Sequence, residues 1–194
     1  MMKVYKFWHK ANEYKNIDLE GTLLLDKVVD GFYNDGKAFN CDFGSFKWIE
    51  KDLKECDFPM INGSIPVVSQ RAYEVLDPYL DKKGIEILPI TIDNTPYYII
   101  HLLNVYDVLN EKRSVIQRFR NGGIKNIEKY VFLPSVSDVP NLFQITQNQM
   151  FVFVKEELFN VISEAKLTGA DFEECQIKDY PLITRLFQSI KQPK

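Results

Sequence analysis

The side chains able to do chemistry are few and scattered. The chain holds two histidines, His9 and His101, and three cysteines, Cys41, Cys56 and Cys175. General acid–base catalysis draws on a histidine or a perturbed carboxylate in a cleft, so this scarcity argues against an enzyme. His101 falls in the apolar run 97–103, on the face that also carries Tyr97, Ile99 and Leu103. It reads as a core or edge histidine with one nitrogen satisfied, the alternative being a catalytic or switching role. A Cys–His dyad needs a thiol of depressed pKa beside the imidazole, and no spacing brings Cys41 or Cys175 to a histidine. The cysteines are odd in number and without a C-x-x-C pair, which fits neither a disulfide framework nor a zinc site. Glu156-Glu157 and Glu173-Glu174 are adjacent carboxylates, but neighbours on a helix or strand point apart, so they read as solvated faces. Phosphate-binding loops, nucleophile elbows, metalloprotease helices and EF-hand loops are absent from the sequence. The chain therefore reads as non-catalytic, with no catalytic residue, cofactor or metal expected.

Two segments offer surfaces for a partner. In the first, Lys112, Arg113, Arg118, Arg120, Lys125 and Lys129 stand against only Glu111 and Glu128, with Phe119 between two arginines. Such a patch suits an acidic protein surface or a phosphate, although exposed hairpins also carry charge to stay soluble and to blunt their edges. In the second, turn formers between Gly31 and Gly44 are threaded with Phe32, Tyr33, Phe39 and Phe43, and Phe46 and Trp48 follow. There aromatics such as Trp48, with Asp35 and Asp42 in the same segment, suit an interface anchor with a charged rim, and a hydrophobic cluster under a loop fits equally well. The partner-binding candidates are thus Asp35, Asp42, Trp48, Arg118, Phe119 and Arg120.

These segments are positioned by elements legible from periodicity. Residues 3–8 alternate polar and apolar, as a half-buried strand does. Ser69 stands as N-cap to a short helix with Ala72, Val75, Leu76, Tyr79 and Leu80 on its apolar stripe, which Pro78 ends near Asp77. Residues 85–92 and 97–103, joined by a turn at 93–95, predict an antiparallel hairpin whose second strand is covered on both faces. A second hairpin is predicted from 115–120, the loop Asn121-Gly122-Gly123, and 124–133. Residues 150–154 form a strand that runs into a helix marked by Leu158, Val161, Ile162 and Ala165, with Gly169 placed to end it. A last amphipathic helix carries Leu182, Ile183, Leu186, Phe187 and Ile190. Strands are grouped between helices, so the fold class is α+β: a mainly antiparallel sheet, a few helices and an irregular, aromatic-rich N-terminal region.

The 194 residues are 45% hydrophobic and 13% aromatic, the composition of a folded domain. A net charge of −3 excludes a general nucleic-acid binder, which needs a basic excess for phosphate contacts. No run approaches the ~20 apolar residues that span a bilayer, and the first ten residues lack the apolar core of a secretory signal. A cytoplasmic protein with no membrane partner is expected.

The succession Ser69-Gln70-Arg71-Ala72-Tyr73-Glu74-Val75-Leu76-Asp77-Pro78, then Glu86-Ile87-Leu88-Pro89-Ile90, then the run 97–110 with Arg113-Ser114 behind it, and finally residues 150–154 and Ala165-Lys166-Leu167-Thr168-Gly169 before an acidic strand, resembles a family of bacterial immunity proteins typified by a myxobacterial member. The likeness runs from about Pro66 to Cys175. It departs at His101, where the family pattern has Asn, and at Lys155, where a Ser or Asp N-cap is usual. The resemblance implies a variable region at 1–64, which could form a small subdomain, and an immunity-type α+β domain at 65–194. It also implies a protein that binds and neutralises a cognate toxin of a polymorphic toxin system and has no catalytic residues of its own. A non-catalytic interaction module of a secretion or defence apparatus is the other reading.

Overall fold

The two apolar runs in the middle of the sequence form the hairpin that their spacing predicts. Ile85–Ile92 and Thr95–Leu102 pair antiparallel along their full length, from Ile85 opposite Leu102 to Ile92 opposite Thr95. Asp93 and Asn94 make the two-residue turn, both at positive φ (46° and 67°), the conformation that matches the right-handed twist of the strands and that Asp and Asn tolerate best. A computed structural model describes residues 2–18, 38–39, 43–49, 52–61 and 65–179. The expected C-terminal helix at Leu182–Ile190, the turn at 62–64, Cys41, Asp35 and Asp42 lie outside the described residues.

In chain order the strands are β1 (Val4–His9), β2 (Ile17–Asp18), β3 (Ser45–Trp48), β4 (Met60–Ile61), β5 (Ile65–Ser69), β6 (Ile85–Ile92), β7 (Thr95–Leu102), β8 (Val105–Tyr106), β9 (Val115–Arg118), β10 (Ile124–Lys129), β11 (Val131–Phe132), β12 (Leu142–Ile145), β13 (Asn148–Lys155) and β14 (Ala170–Ile177). The helices are α1 (Gln70–Leu76) and α2 (Glu156–Glu164). One six-stranded sheet has the order β2-β3-β6-β7-β5-β4 and the other β11-β14-β1-β13-β12-β8, while β9 and β10 form a two-stranded sheet of their own. Most pairings are antiparallel, and β3–β6, β8–β12 and β11–β14 are parallel. The fold is α+β and mainly sheet, as the patterning predicts.

The two large sheets repeat one topology. In the first, β5, α1 and β6 flank β7, which is antiparallel to both strands. In the second, β13, α2 and β14 flank β1 in the same manner. Each is a split β-α-β unit, and nothing in the sequence repeats because a shared topology needs only shared periodicity. The first strand of the chain is thus the centre of one sheet. Between the sheets lies one apolar cluster fed by Tyr5, Phe7, Val152 and Val154 from one side, Val68, Ile85, Ile100 and Leu102 from the other, and Ala72, Leu76, Leu158 and Ile162 from the helices. A second cluster covers the far face of the β7 sheet and includes Phe43, Phe46, Trp48, Tyr97 and Ile99. A third covers the far face of the β1 sheet and includes Phe132, Phe143 and Phe153 with Ile127 of the hairpin. Strand β7 therefore has an apolar cluster on each face, as its sequence implies.

Local signals work with two corrections. The Ser69 hydroxyl caps α1 by accepting from the Ala72 N–H (3.1 Å), and the chain passes into a 3-10 turn at Asp77–Tyr79 where Pro78 forbids more helix. Gly169 does not end α2. The helix stops at Glu164 because Lys166 takes φ 51°, with its N–H bonded to the Ser163 carbonyl and that of Leu167 to the Ile162 carbonyl. This is a Schellman stop with lysine in the place usually held by glycine. The predicted second strand of the 115–133 hairpin also divides: β10 ends at Lys129, and β11 pairs in parallel with β14 instead. Burial of Tyr130 and Val131 in place of the exposed Glu128 and Lys129 marks the change of partner.

Because a side chain at positive φ costs about 1 kcal/mol that glycine avoids, Lys166→Gly is expected to raise stability by up to about 1 kcal/mol in urea unfolding. A loss of stability would show that the lysine side chain outweighs its backbone strain.

Candidate functional site

Both histidines are engaged in structure. His9 is buried at the end of β1, and its Nδ1 faces the carbonyls of Phe58 (3.0 Å) and Gly169 (3.2 Å), so Nδ1 carries the hydrogen. His101 is 2% exposed. Its Nδ1 lies 3.0 Å from Glu86 Oε2 in the opposite register position, the same carboxylate accepts the Phe39 N–H (2.8 Å), and the Phe39 ring stacks on the imidazole at 4.7 Å. Glu156 and Glu157 lie in the first turn of α2, where negative charge complements the helix dipole. Glu173 and Glu174 are exposed on β14, and Glu174 pairs with Lys3 (2.8 Å). Among the described residues no three His, Cys, Asp or Glu side chains gather in a way that could hold a metal ion. Cys56 and Cys175 are free and buried, and burial pushes both thiols up to about 12.

Among the described residues a dense polar network centres on Asp57, a residue that neither periodicity nor any motif marks. Asp57 is 8% exposed. Its Oδ1 accepts from the Ser69 hydroxyl (2.7 Å), and its Oδ2 accepts from the Thr168 N–H (2.9 Å), the Thr168 hydroxyl (3.1 Å) and Arg71 Nη1 (3.3 Å). Its own N–H returns to the Thr168 carbonyl (3.1 Å), and Arg71 Nη2 donates to the Ala165 carbonyl (2.6 Å). The start of α1 in one sheet and the turn after α2 in the other are thereby tied to one carboxylate. Gly169 follows at φ 92°, and a Cβ there would stand 2.6 Å from Cys56 Sγ. Residues from the two motifs that lie a hundred positions apart, Ser69 and Arg71 on one side and Thr168 and Gly169 on the other, meet here.

The β9–β10 hairpin is an exposed, charged surface. Its base is pinned. Buried Asn110 receives the Arg113 and Ser114 N–H groups on its carbonyl, gives its own N–H to the Val131 carbonyl, and donates its side-chain amide to the Lys178 carbonyl (2.7 Å). The Ser114 hydroxyl accepts from the Val131 N–H (3.1 Å), and Arg113 Nε donates to the Asp179 carbonyl (2.7 Å). Ile127 is buried against the third cluster, with Ile116 and Ile124 partly buried beside it. Beyond this footing the strands are exposed. Arg118 is held by Glu111 (2.6 Å) and the Gly122 carbonyl (2.9 Å). Phe119 is 55% and Val115 46% exposed, and the tip turns at Gly122 with φ 87°. Arg118, Phe119 and Arg120 are therefore brought together at the surface. Trp48 is not with them: at 7% exposure it lies edge-to-face on Tyr97 (5.6 Å) inside the second cluster, where it serves packing.

Residues 45–177 match the immunity protein family (Imm11), and the chain belongs to that family. No curated protein matches the chain. The matched span takes in both the Asp57 network and the mounted hairpin. No helix among the described residues is long and apolar enough to cross a membrane.

Three outcomes follow from these contacts. Asp57→Ala strands several buried donors and should cost about 3 kcal/mol, whereas Arg71→Ala, more than half exposed, should cost under about 1 kcal/mol. Equal costs in denaturant unfolding would contradict the hub. Gly169→Ala combines a positive φ with contact against Cys56 and should cost about 2–4 kcal/mol. Finally, Cys56 and Cys175 should resist iodoacetamide at pH 8 until the chain is unfolded. Below pH 9 native and unfolded thiols are both protonated. Above it the unfolded chain releases protons that the native one keeps, so stability should fall from pH 9 toward 12. Rapid native labelling of either thiol would contradict their burial.

Proposed function

We propose that the protein binds a toxin domain in the cytoplasm of the cell that produces it and blocks the toxin's action by occupying its surface. The observation that carries this reading is membership of the immunity protein family over residues 45–177, which take in both helices and every strand from β3 to β14. The geometry supports it. Each histidine holds its Nδ1 in an internal hydrogen bond, the Asp57 carboxylate is saturated by internal donors, and an exposed hairpin is held on a hydrogen-bonded footing. The protein thus acts through complementarity, with no bond-breaking step of its own.

Protection of this kind demands tight binding, because a small free fraction of toxin is lethal. A dissociation constant on the order of nanomolar or below corresponds to about −12 kcal/mol. Expression of the product of the adjacent upstream gene should arrest growth, co-expression with this protein should restore it, and the two proteins should co-purify through size exclusion. Growth arrest despite equal expression, with no complex recovered, would sink the proposal.

A further inference from the structure

We infer that the β9–β10 hairpin is the element that contacts the toxin, and that it docks on an acidic face of that protein. This rests on the function proposed above and assigns it a surface. Charge is the first argument. Residues 111–129 carry six cations and two carboxylates in a chain whose net charge is −3, so a concentrated positive field projects from an otherwise acidic molecule. Internal structure uses only part of this charge. Arg118 pairs with Glu111, but Arg120, Lys125 and Lys129 make no ion pair among the described residues. Apolar exposure is the second argument. Val115 and Phe119 are among the few large hydrophobic side chains exposed in the described residues, and both stand within this cationic patch. A desolvated aromatic anchor ringed by charge is the composition of a protein-binding hot spot.

The mode of contact also follows. The ladder breaks register twice, between Ile124 and Asn126 and between Ile127 and Lys129. Such bulges twist a strand and leave poor edges for pairing. Recognition therefore runs through side chains and not through addition of a partner strand. A nucleic acid would compete for the same cations. However, Glu111 and Glu128 interrupt the patch, and Phe119 alone offers a ring at its tip, whereas single-stranded binding uses several stacking platforms.

The test compares three proteins by surface plasmon resonance against the toxin domain that co-purifies with this protein: wild type, R120E/K125E/K129E, and K47E/K54E/K83E as an equal charge change at exposed positions elsewhere. The hairpin variant should bind about 100-fold more weakly, chiefly through a slower association rate, while the control stays within about threefold of wild type. F119A should speed dissociation about tenfold or more. Unchanged circular dichroism and melting confirm that the variants fold. If wild type binds and the hairpin variant binds equally well, or if both triple variants weaken alike, the hairpin assignment is overturned and the immunity reading stands. If wild type binds no toxin domain, that reading fails and the hairpin assignment falls with it. Tighter binding of a labelled single-stranded RNA than of the toxin domain would also overturn the assignment.

Discussion

One buried carboxylate holds the two halves of this fold in register. Asp57 precedes the β4–β5 edge of one sheet, yet two of the four donors to its carboxylate belong to Thr168, in the turn that leads into β14 of the other. An aspartate so enclosed is stable only when its oxygens are saturated with donors. Ser69, Arg71 and Thr168 supply those donors, and in doing so fix the start of α1 and the end of α2 relative to each other. His9 reinforces the seam from β1 through the carbonyls of Phe58 and Gly169. Apolar packing between the sheets supplies most of the favourable energy. The polar seam supplies the alignment, because hydrophobic contact is non-directional and the carboxylate geometry is not.

A second polar mount repeats the logic on a smaller scale. Asn110 and Ser114 lock the base of the hairpin to Val131 and Lys178, so the exposed charges sit on a platform that is already hydrogen-bonded in the free protein. A preorganised surface loses less entropy on association than a flexible loop. The buried Lys155 shows the same economy. It stands at the N-cap position of α2 without capping it, and its ammonium instead donates to the carbonyls of Ser137 and Val139 at the end of a 3-10 turn, while burial lowers its pKa.

The sequence discloses elements better than it discloses their meeting points. Hairpin β6–β7, the Ser69 cap and the double cover of β7 follow from alternation, turn residues and apolar runs, all of which are local. The Asp57 hub is not local: Thr168 lies 111 positions away, and an aspartate between Cys56 and Phe58 gives no periodic signal. The two short motifs that flag the family pattern become intelligible only when they are seen to converge on it. By residue type the stop of α2 falls at Gly169, because glycine usually takes the left-handed position. Lys166 takes it here, and Gly169 answers a steric demand from Cys56. Trp48, a plausible anchor by residue type alone, is enclosed because β3 joins the β7 sheet beside β6, a parallel pairing that spacing does not reveal. The charged hairpin was legible, since charge asymmetry and turn residues are both written in one short segment.

Amide hydrogen exchange on the free protein and on its complex with the toxin domain tests most directly whether a preformed scaffold presents one hairpin to its partner. Added protection confined to residues 111–129 is expected, with residues 57–58 and 168–169 already protected in the free protein and unchanged in the complex. Protection gained elsewhere while residues 111–129 exchange as before, or a seam that becomes protected only on binding, would contradict it.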